Sequence, residues 1–367
     1  MNRNVERITA ITVTFNRTVT LKKCIAALLT QNRHVDDIII VDNHSKPEER
    51  AILDVIAASD ERIHLHVLSD NMGGAGGFEA GMRLAVEKYP ADWYWIMDDD
   101  AYPRADCLEK LLEARDVLTG KKIESNNFTE QEIKKNGNAN ADINQVKSSE
   151  VRYSCSENEI GFLAPLIYGV DLKKYQLYHH KKLCGIALVN KPIVNTYKDL
   201  ERINPVEANA FVGPLISKEA VHKVGIADGS LFIYGDDTEY TYRITRHFSG
   251  FMIRDAVIDH QDPPLVGDNY LEPKGWWKEY YSNRNWMLLV NEFTENKYKR
   301  ICAKLIIGSK MLRFIIAAAI KPKYAGYRIL RIKLLAMALN DGLKNRHGKS
   351  IDPLEYNKKL DERRNRI

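Results

Sequence analysis

Paired cysteines are missing. The 367 residues hold five, Cys24, Cys107, Cys155, Cys184 and Cys302, scattered and without a CxxC spacing. That pattern excludes a disulfide scaffold and a cysteine-based zinc site, and predicts reduced packing thiols in a cytoplasmic protein. Long apolar runs are missing too. The opening residues, MNRNVERITAITVTF, lack the uninterrupted apolar stretch of a secretory signal. The most apolar region, Ile301 to Ile320, is broken by Lys304, Lys310 and Arg313, whereas a membrane span needs about 20 mostly apolar residues. No internal repeat is found, and no recognition motif accompanies the basic residues, which argues against nucleic acid as a partner.

What is present reads as globular: 44% hydrophobic and 28% charged residues. The length fits two domains, or one large catalytic domain with an appendage. The net charge of +5 hides an asymmetry. Residues 297–367 carry 19 Lys/Arg against 5 Asp/Glu, and residues 1–296 carry 35 against 44. An acidic body with a basic tail points to an anionic surface as the partner of the tail.

The first hundred residues alternate between two periods. Ile8–Phe15, Asp37–Val41, Ile63–Leu68 and Trp93–Met97 are short β-rich runs; Val19–Thr30, Glu48–Ala58 and Phe78–Lys88 carry helical spacing. Such alternation predicts an α/β fold with a mostly parallel central sheet. Ligands bind beyond the carboxyl ends of such strands. The residues following each run therefore become candidates: Asn16-Arg17, Asp42-Asn43, Asn71 onward, and Asp98-Asp99-Asp100. The Asn-rich, polar segment from Thr119 to Glu150 cannot bury enough apolar surface to offset its ordering entropy, and predicts a mobile insertion.

Four constellations could carry chemistry. In Asp98-Asp99-Asp100, side chains two apart point the same way in extended chain, so Asp98 and Asp100 converge while Asp99 turns away. Their mutual repulsion calls for a cation or a proton, and oxygen ligands with open positions favour Mg²⁺ or Mn²⁺. A solvated loop capping the next helix would read similarly. Asn71-Met72-Gly73-Gly74-Ala75-Gly76-Gly77-Phe78 opens a helix after a strand, and its glycines would let backbone approach an anionic ligand. It is neither the dinucleotide fingerprint, since Glu79 stands where the last glycine belongs, nor a phosphate loop ending in Gly-Lys-Ser/Thr; a flexible turn is the plain alternative. Asp236-Asp237, within Tyr234-Gly235-Asp236-Asp237-Thr238-Glu239, could hold a general base, because a desolvated acid beside a like charge binds its proton more tightly. Surface acids capping a helix are the alternative. His260, after Ala256–Ile258, could complete a metal's coordination or be a satisfied structural residue.

Together these motifs resemble family 2 of the glycosyltransferases, with the GT-A type nucleotide-sugar fold. The resemblance runs from Ile11–Arg17 and Val41–Ser45 through the glycine motif, the aspartate triplet, Gly235–Glu239 and His260, covering roughly residues 7–290 apart from the insertion. The pairing of NxGGxGGF with DDD is similar to galactofuranosyltransferases, while Tyr280-Tyr281-x-x-Arg284-Asn285 is similar to a broader group that includes rhamnosyltransferases. The resemblance implies a catalytic domain over residues 1–266 and a helical, basic region over 267–367. It implies that Thr14, Arg17 and Asp42 lie around the nucleoside, and that Asn71, Gly73, Gly74, Gly76 and Gly77 border the donor sugar or pyrophosphate. It implies that Asp98, Asp99 and Asp100 meet the diphosphate and its Mn²⁺ or Mg²⁺, with Asp98, Asp100 and His260 as metal ligands. Asp237 would be the base and Asp236 a positioning residue, or the reverse. The implied activity is inverting transfer of galactofuranose from its uridine diphosphate donor to a surface or lipid-linked glycan. The alternatives are rhamnose transfer from a deoxythymidine diphosphate donor, and a non-catalytic nucleotide-sugar-binding protein.

In the tail, Ile301, Leu305, Gly308, Leu312, Ile315/Ile316 and Ala319 follow helical spacing, and Ile329–Leu339 gives a second apolar-and-basic helix. A basic amphipathic helix predicts an element lying on a membrane surface, here the cytoplasmic face of the inner membrane. A helix docked on the catalytic domain with its cations solvated is the other reading.

Overall fold

The computed structural model describes residues 6–121, 153–261 and 273–364. In the first segment the two periods fold as expected, alternating β1 (Ile8–Thr14), α1 (Thr18–Leu29), β2 (Asp37–Asp42), α2 (Pro47–Ala57), β3 (Ile63–Val67), α3 (Gly73–Lys88) and β4 (Trp93–Asp98). β1 pairs in parallel with β2 and β4, and β2 with β3. Helices cover both faces of these strands, which buries β2 and β4 along nearly their whole length. Along β4 the side chains divide by face: Trp93, Trp95 and Met97 join the cluster containing Leu21 of α1 and Leu53 of α2, while Tyr94 and Ile96 join the one containing Phe78 and Met82 of α3.

The chain continues through β5 (Ala101–Pro103), α4 (Cys107–Leu118), β6 (Ile160–Gly169), β7 (Lys174–Tyr175), β8 (His180–Cys184), β9 (Val189–Pro192), β10 (Ile203–Pro205), β11 (Ala208–Asn209), β12 (Val212–Ser217), α5 (Lys218–Val224), α6 (Asp236–Thr245) and β13 (Ser249–His260). The main sheet runs β10-β13-β6-β12-β4-β1-β2-β3, with β5 beside β13 and β7 beside β6; β11, β8 and β9 form a small second sheet. β12 is antiparallel to both β4 and β6, so this half of the sheet is mixed. From residue 122 to 150 the expected polar insertion lies outside the described residues.

Four helices follow: α7 (Trp276–Phe293), α8 (Lys297–Ile320), α9 (Arg328–Leu343) and α10 (Pro353–Arg364). Their core, with Trp276, Tyr280, Tyr281, Ile307, Met311 and Leu334, also takes in Phe232 and Ala187 from the preceding part of the chain. α8 packs inward on Ala303, Ile307, Met311 and Ala318. The stripe read from the sequence points the other way: Ile301, Leu305, Leu312 and Ile316 are each at least half exposed, as is Ile320. Among the described residues no helix is long and apolar enough to cross a membrane.

Candidate active site

The carboxyl ends of β1 and β4 and the start of α3 open into a cleft of about 690 Å³, lined by Thr14, Arg17, Asn71, Gly73, Gly74, all three acids of Asp98–Asp100, Asp236, Asp237 and His260. The sheet register explains the meeting. His260 ends β13 opposite Ala101 of β5, one residue beyond the aspartate triplet. Asp98, Asp100 and His260 each offer a ligand atom, all within 4.8 Å of one another. Two carboxylates and one imidazole are a donor set suited to Mn²⁺ or Mg²⁺ with positions left for phosphate oxygens. Asp99 borders the same cleft and accepts a hydrogen bond from the Thr14 hydroxyl at 2.7 Å.

Burial and mutual repulsion act on the three acids differently. Burial, then repulsion by Asp100 and Asp99, holds Asp98 well above the usual carboxylate range. Burial likewise pushes Asp99 up to about 6, against the pull of Arg17. Asp100 goes the other way: burial would raise it, but the hydrogen bond and charge of His260, then Arg17, outweigh that. Arg17 contacts Asp99 at 3.1 Å and Asp100 at 2.5 Å.

The second acid pair is held by its neighbours. The approach to α6 carries left-handed backbone at Phe232 (φ 68°), Tyr234 (φ 62°) and Gly235 (φ 90°). Two fully buried residues of α7 clamp it. Asn285 Nδ2 donates to the carbonyls of Leu231, Ile233 and Tyr234 at 3.0, 2.9 and 2.7 Å. Arg284 donates to Leu231 at 2.9 Å and to Gly348 at 2.6 Å, its guanidinium 4.8 Å from the Tyr281 ring. The Tyr280–Asn285 motif thus braces the loop that delivers Asp236 and Asp237. Burial, with Asp237 adjacent, pushes Asp236 up to about 7. Asp237 receives the Lys181 ammonium at 2.9 Å.

Several expected site residues are not themselves part of the cleft lining. Asp42 is buried next to the cleft-lining Asn43, its carboxylate accepting the Ser45 N–H at 2.9 Å, with Arg50 at 3.9 Å. Gly76 and Gly77 lie inside α3, whose start falls earlier than the periodicity predicted. A Cβ on Gly77 would stand 2.4 Å from Val13 Cγ1, and one on Gly76 2.5 Å from Met72 Cβ. Neither position leaves room for a Cβ, so both glycines allow close packing at the start of α3. Gly73 does need its left-handed φ of 72°, and its N–H is met by Asn71 Oδ1 at 2.9 Å.

The structure also brings in residues that the sequence reading missed. Gln176 Oε1 lies 3.0 Å from His260 Nδ1 and 3.0 Å from His179 Nε2. A carbonyl oxygen only accepts, so it holds the proton on Nδ1 and leaves Nε2 of His260 facing Asp100, as supporting residues around metal-binding histidines do. Lys181, Trp277 and Lys278 also border the cleft. The histidine-rich segment Tyr178-His179-His180-Lys181 was the available signal, but no motif spacing marked it.

Residues 9–117 match the family described as Glycosyl transferase family 2. That segment is a family 2 glycosyltransferase domain, and with the relatives below it marks the chain as a glycosyltransferase. It is similar to Galactofuranosyltransferase GlfT1 of Mycolicibacterium smegmatis, 24% identical over 302 residues, 79% of this chain and 84% of the relative. The enzyme is also similar to Galactofuranosyltransferase GlfT1 of Mycobacterium tuberculosis, 24% identical over 288 residues, 76% of this chain and 81% of that one. Among solved structures it resembles GalNAc-T7 with UDP, GalNAc and Mn²⁺: TM-score 0.55, 11% identity, 94% of this chain and 57% of that chain. The glycosyltransferase therefore spans little more than half of that structure's length, and the likeness is one of fold: a GT-A type α/β domain with helices following it.

Proposed function

We propose that the enzyme moves galactofuranose from UDP-galactofuranose to a cell-surface or lipid-linked glycan, with inversion and with Mn²⁺ or Mg²⁺. The observation that carries this reading is the convergence of Asp98, Asp100 and His260 with the Asp236-Asp237 pair in one cleft. The extended similarity to proteins named galactofuranosyltransferases supports the donor sugar. In this reading residues 1–266 are the catalytic domain and residues 267–367 complete it. Asp98, Asp100 and His260 would hold the cation, which supplies Lewis-acid stabilisation of the departing diphosphate. Thr14 and Arg17 hold Asp99 and orient the triplet. Arg17 and Lys278, which border the same cleft, present cationic charge to the pyrophosphate; burial and then Arg17 hold Lys278 below its usual range. One of Asp236 and Asp237 accepts the proton of the attacking hydroxyl. A single base fits direct displacement, unlike the paired carboxylates of retaining glycosidases.

The outward stripe of α8 supports a site of work at the membrane. Ile301, Leu305, Leu312, Ile316 and Ile320 face solvent opposite the packed side of the helix, beside exposed Lys299 and Arg313. Apolar side chains with flanking cations match the boundary of an anionic leaflet, where each cation contributes about 1 kcal/mol. The enzyme in this reading is peripheral on the cytoplasmic face of the inner membrane.

A panel of UDP- and dTDP-sugars incubated with Mn²⁺, read by donor consumption, tests the reaction. UDP-galactofuranose is expected to be consumed, with chelation stopping it. Consumption of dTDP-rhamnose alone would shift the donor to the rhamnosyltransferase reading, and consumption of none would favour a non-catalytic binder.

A further inference from the structure

One buried oxygen sets two imidazoles. Gln176 turns its Oε1 to His260 Nδ1 and to His179 Nε2, at 3.0 Å each. That oxygen has two lone pairs and no hydrogen, so both nitrogens donate to it. The other end of the amide, Nε2, backs onto the end of β6, where a Cβ on Gly169 would stand 2.4 Å from it. The proposed cation accounts for His260 but leaves His179 without a task. His179 is 8% exposed, borders the cleft, and meets the His260 ring edge to face with centres 5.4 Å apart. Among the described residues Gln176 Oε1 is the one hydrogen-bond partner of its ring. No carboxylate there pairs with it, so the ring is neutral, its hydrogen sits on Nε2, and Nδ1 keeps a lone pair. We infer that His179 binds the sugar being transferred, its Nδ1 accepting the hydrogen of one hydroxyl of the donor galactofuranose. This rests on the sugar-transfer reading above and adds to it a residue that selects among donor sugars.

Place and chemistry both point to the sugar. In the sugar-transfer reading the anomeric carbon lies between the departing phosphate, beside Asp98 and Asp100, and the hydroxyl that attacks beside Asp236 and Asp237. His179 stands between the same two groups: its ring touches His260, and Lys181, two residues on, meets Asp237 at 2.9 Å. A phosphate oxygen has no hydrogen to give a lone pair, whereas a sugar hydroxyl has one. The backbone holds the ring in place, the His179 N–H donating to the Gln176 carbonyl at 3.4 Å and its carbonyl accepting from the Ala210 N–H at 3.0 Å. A buried acceptor that a wrong sugar leaves unmet lowers that sugar's reactivity, so a single fixed lone pair discriminates between donors.

The test uses the full chain with UDP-galactofuranose and a set of analogues that each lack one hydroxyl of the sugar. In His179→Phe, which keeps the ring's shape, kcat/KM for donor consumption in Mn²⁺ is expected to fall about tenfold, the scale of one hydrogen bond, with the UDP Kd staying within about twofold. For one analogue the variant and the unmodified chain should react equally, because that hydroxyl and His179 make the same interaction. His179→Asn, whose carbonyl reaches the place of Nδ1, should recover most of the rate. A merely structural role would slow every analogue alike; that result, or no loss in His179→Phe, overturns the inference. Nitrogen NMR of the unmodified chain labelled with ¹⁵N-histidine decides the point without any variant: in Mg²⁺ the His179 Nδ1 resonance should be that of an unprotonated nitrogen and should move upfield when UDP-galactofuranose replaces UDP. A protonated Nδ1, or one that does not move, overturns the inference while leaving the sugar-transfer reading intact. A chain that consumes no UDP-galactofuranose overturns that reading itself, and this inference with it.

Discussion

Replacing Asn285 by alanine is the sharpest probe of how the C-terminal helices build the active site. Its amide donates to three carbonyls of the loop before Asp236, and its Oδ1 accepts from Arg284 Nε at 2.9 Å. In the variant Leu231 keeps the Arg284 donor, while the carbonyls of Ile233 and Tyr234 lose this one. An unmade hydrogen bond at a buried group costs about 1–3 kcal/mol, and partial access of water at Tyr234 trims the total to about 2–4 kcal/mol. The loop also holds Phe232 and Tyr234 at positive φ, worth roughly 1–2 kcal/mol of strain each, which relaxes once the clamp is gone. Relaxation moves Asp236 and Asp237 but not Asp98, Asp100 or Arg17. Urea unfolding should therefore show the loss in stability, and kinetics should show kcat falling further than the donor KM rises. Asn285→Asp, which keeps the shape but removes the donor, should be no better than alanine. A loss below about 1 kcal/mol with full kcat would refute the clamp.

Four other outcomes are expected. Asp237→Asn should abolish transfer while leaving the UDP Kd in Mn²⁺ nearly unchanged, and transfer at the unmodified rate would remove Asp237 from the chemistry. Asp236, raised to about 7 by burial beside Asp237, keeps its proton in the fold where the unfolded chain has lost it. Stability should accordingly fall as pH rises from about 4 to about 7, and Asp236→Asn should flatten that decline in melting temperature; an unaltered slope would contradict the assignment. The enzyme should float with phosphatidylglycerol vesicles at low salt, and the double change Leu305→Glu, Leu312→Glu on the exposed face should prevent it without lowering the melting temperature, whereas equal flotation would dismiss the lipid contact. Gly77→Ala should destabilise by about 1–3 kcal/mol through overpacking against Val13, measured by urea unfolding, and a neutral result would contradict its packing role.

The aspartate triplet was legible because two local rules coincide there: a buried apolar strand ends, and charge begins. The parallel half of the sheet was legible for the same reason, since apolar runs and helical periods alternate cleanly between Ile8 and Asp98. In the glycine motif one composition serves two purposes: Gly73 needs unusual backbone and lines the cleft, while Gly76 and Gly77 need the absence of a Cβ. Asp42 ends its strand as the ligand-binding rule asks, and its carboxylate also closes the turn at Ser45, a partner three residues on that the rule does not foresee. Gln176 and Lys181 act across long separations, on His260 and Asp237, and no short-range pattern carries that. α8 is apolar on two opposite sides, so its period reveals a helix but not which side packs.

The Arg284–Asn285 clamp ties the C-terminal helices to the loop before Asp236. A fragment ending at residue 266 would retain every acid and the imidazole, yet the backbone ahead of Asp236 would be stripped of the donors that shape it, and the cleft would lose Trp277 and Lys278. The same helix bundle that would rest on lipid is the scaffold of the reaction centre. On the proposed reading, contact with the bilayer and the placement of Asp236 and Asp237 would run through one helix bundle, so a detergent that peels α8 from its neighbours would be expected to silence turnover from a distance.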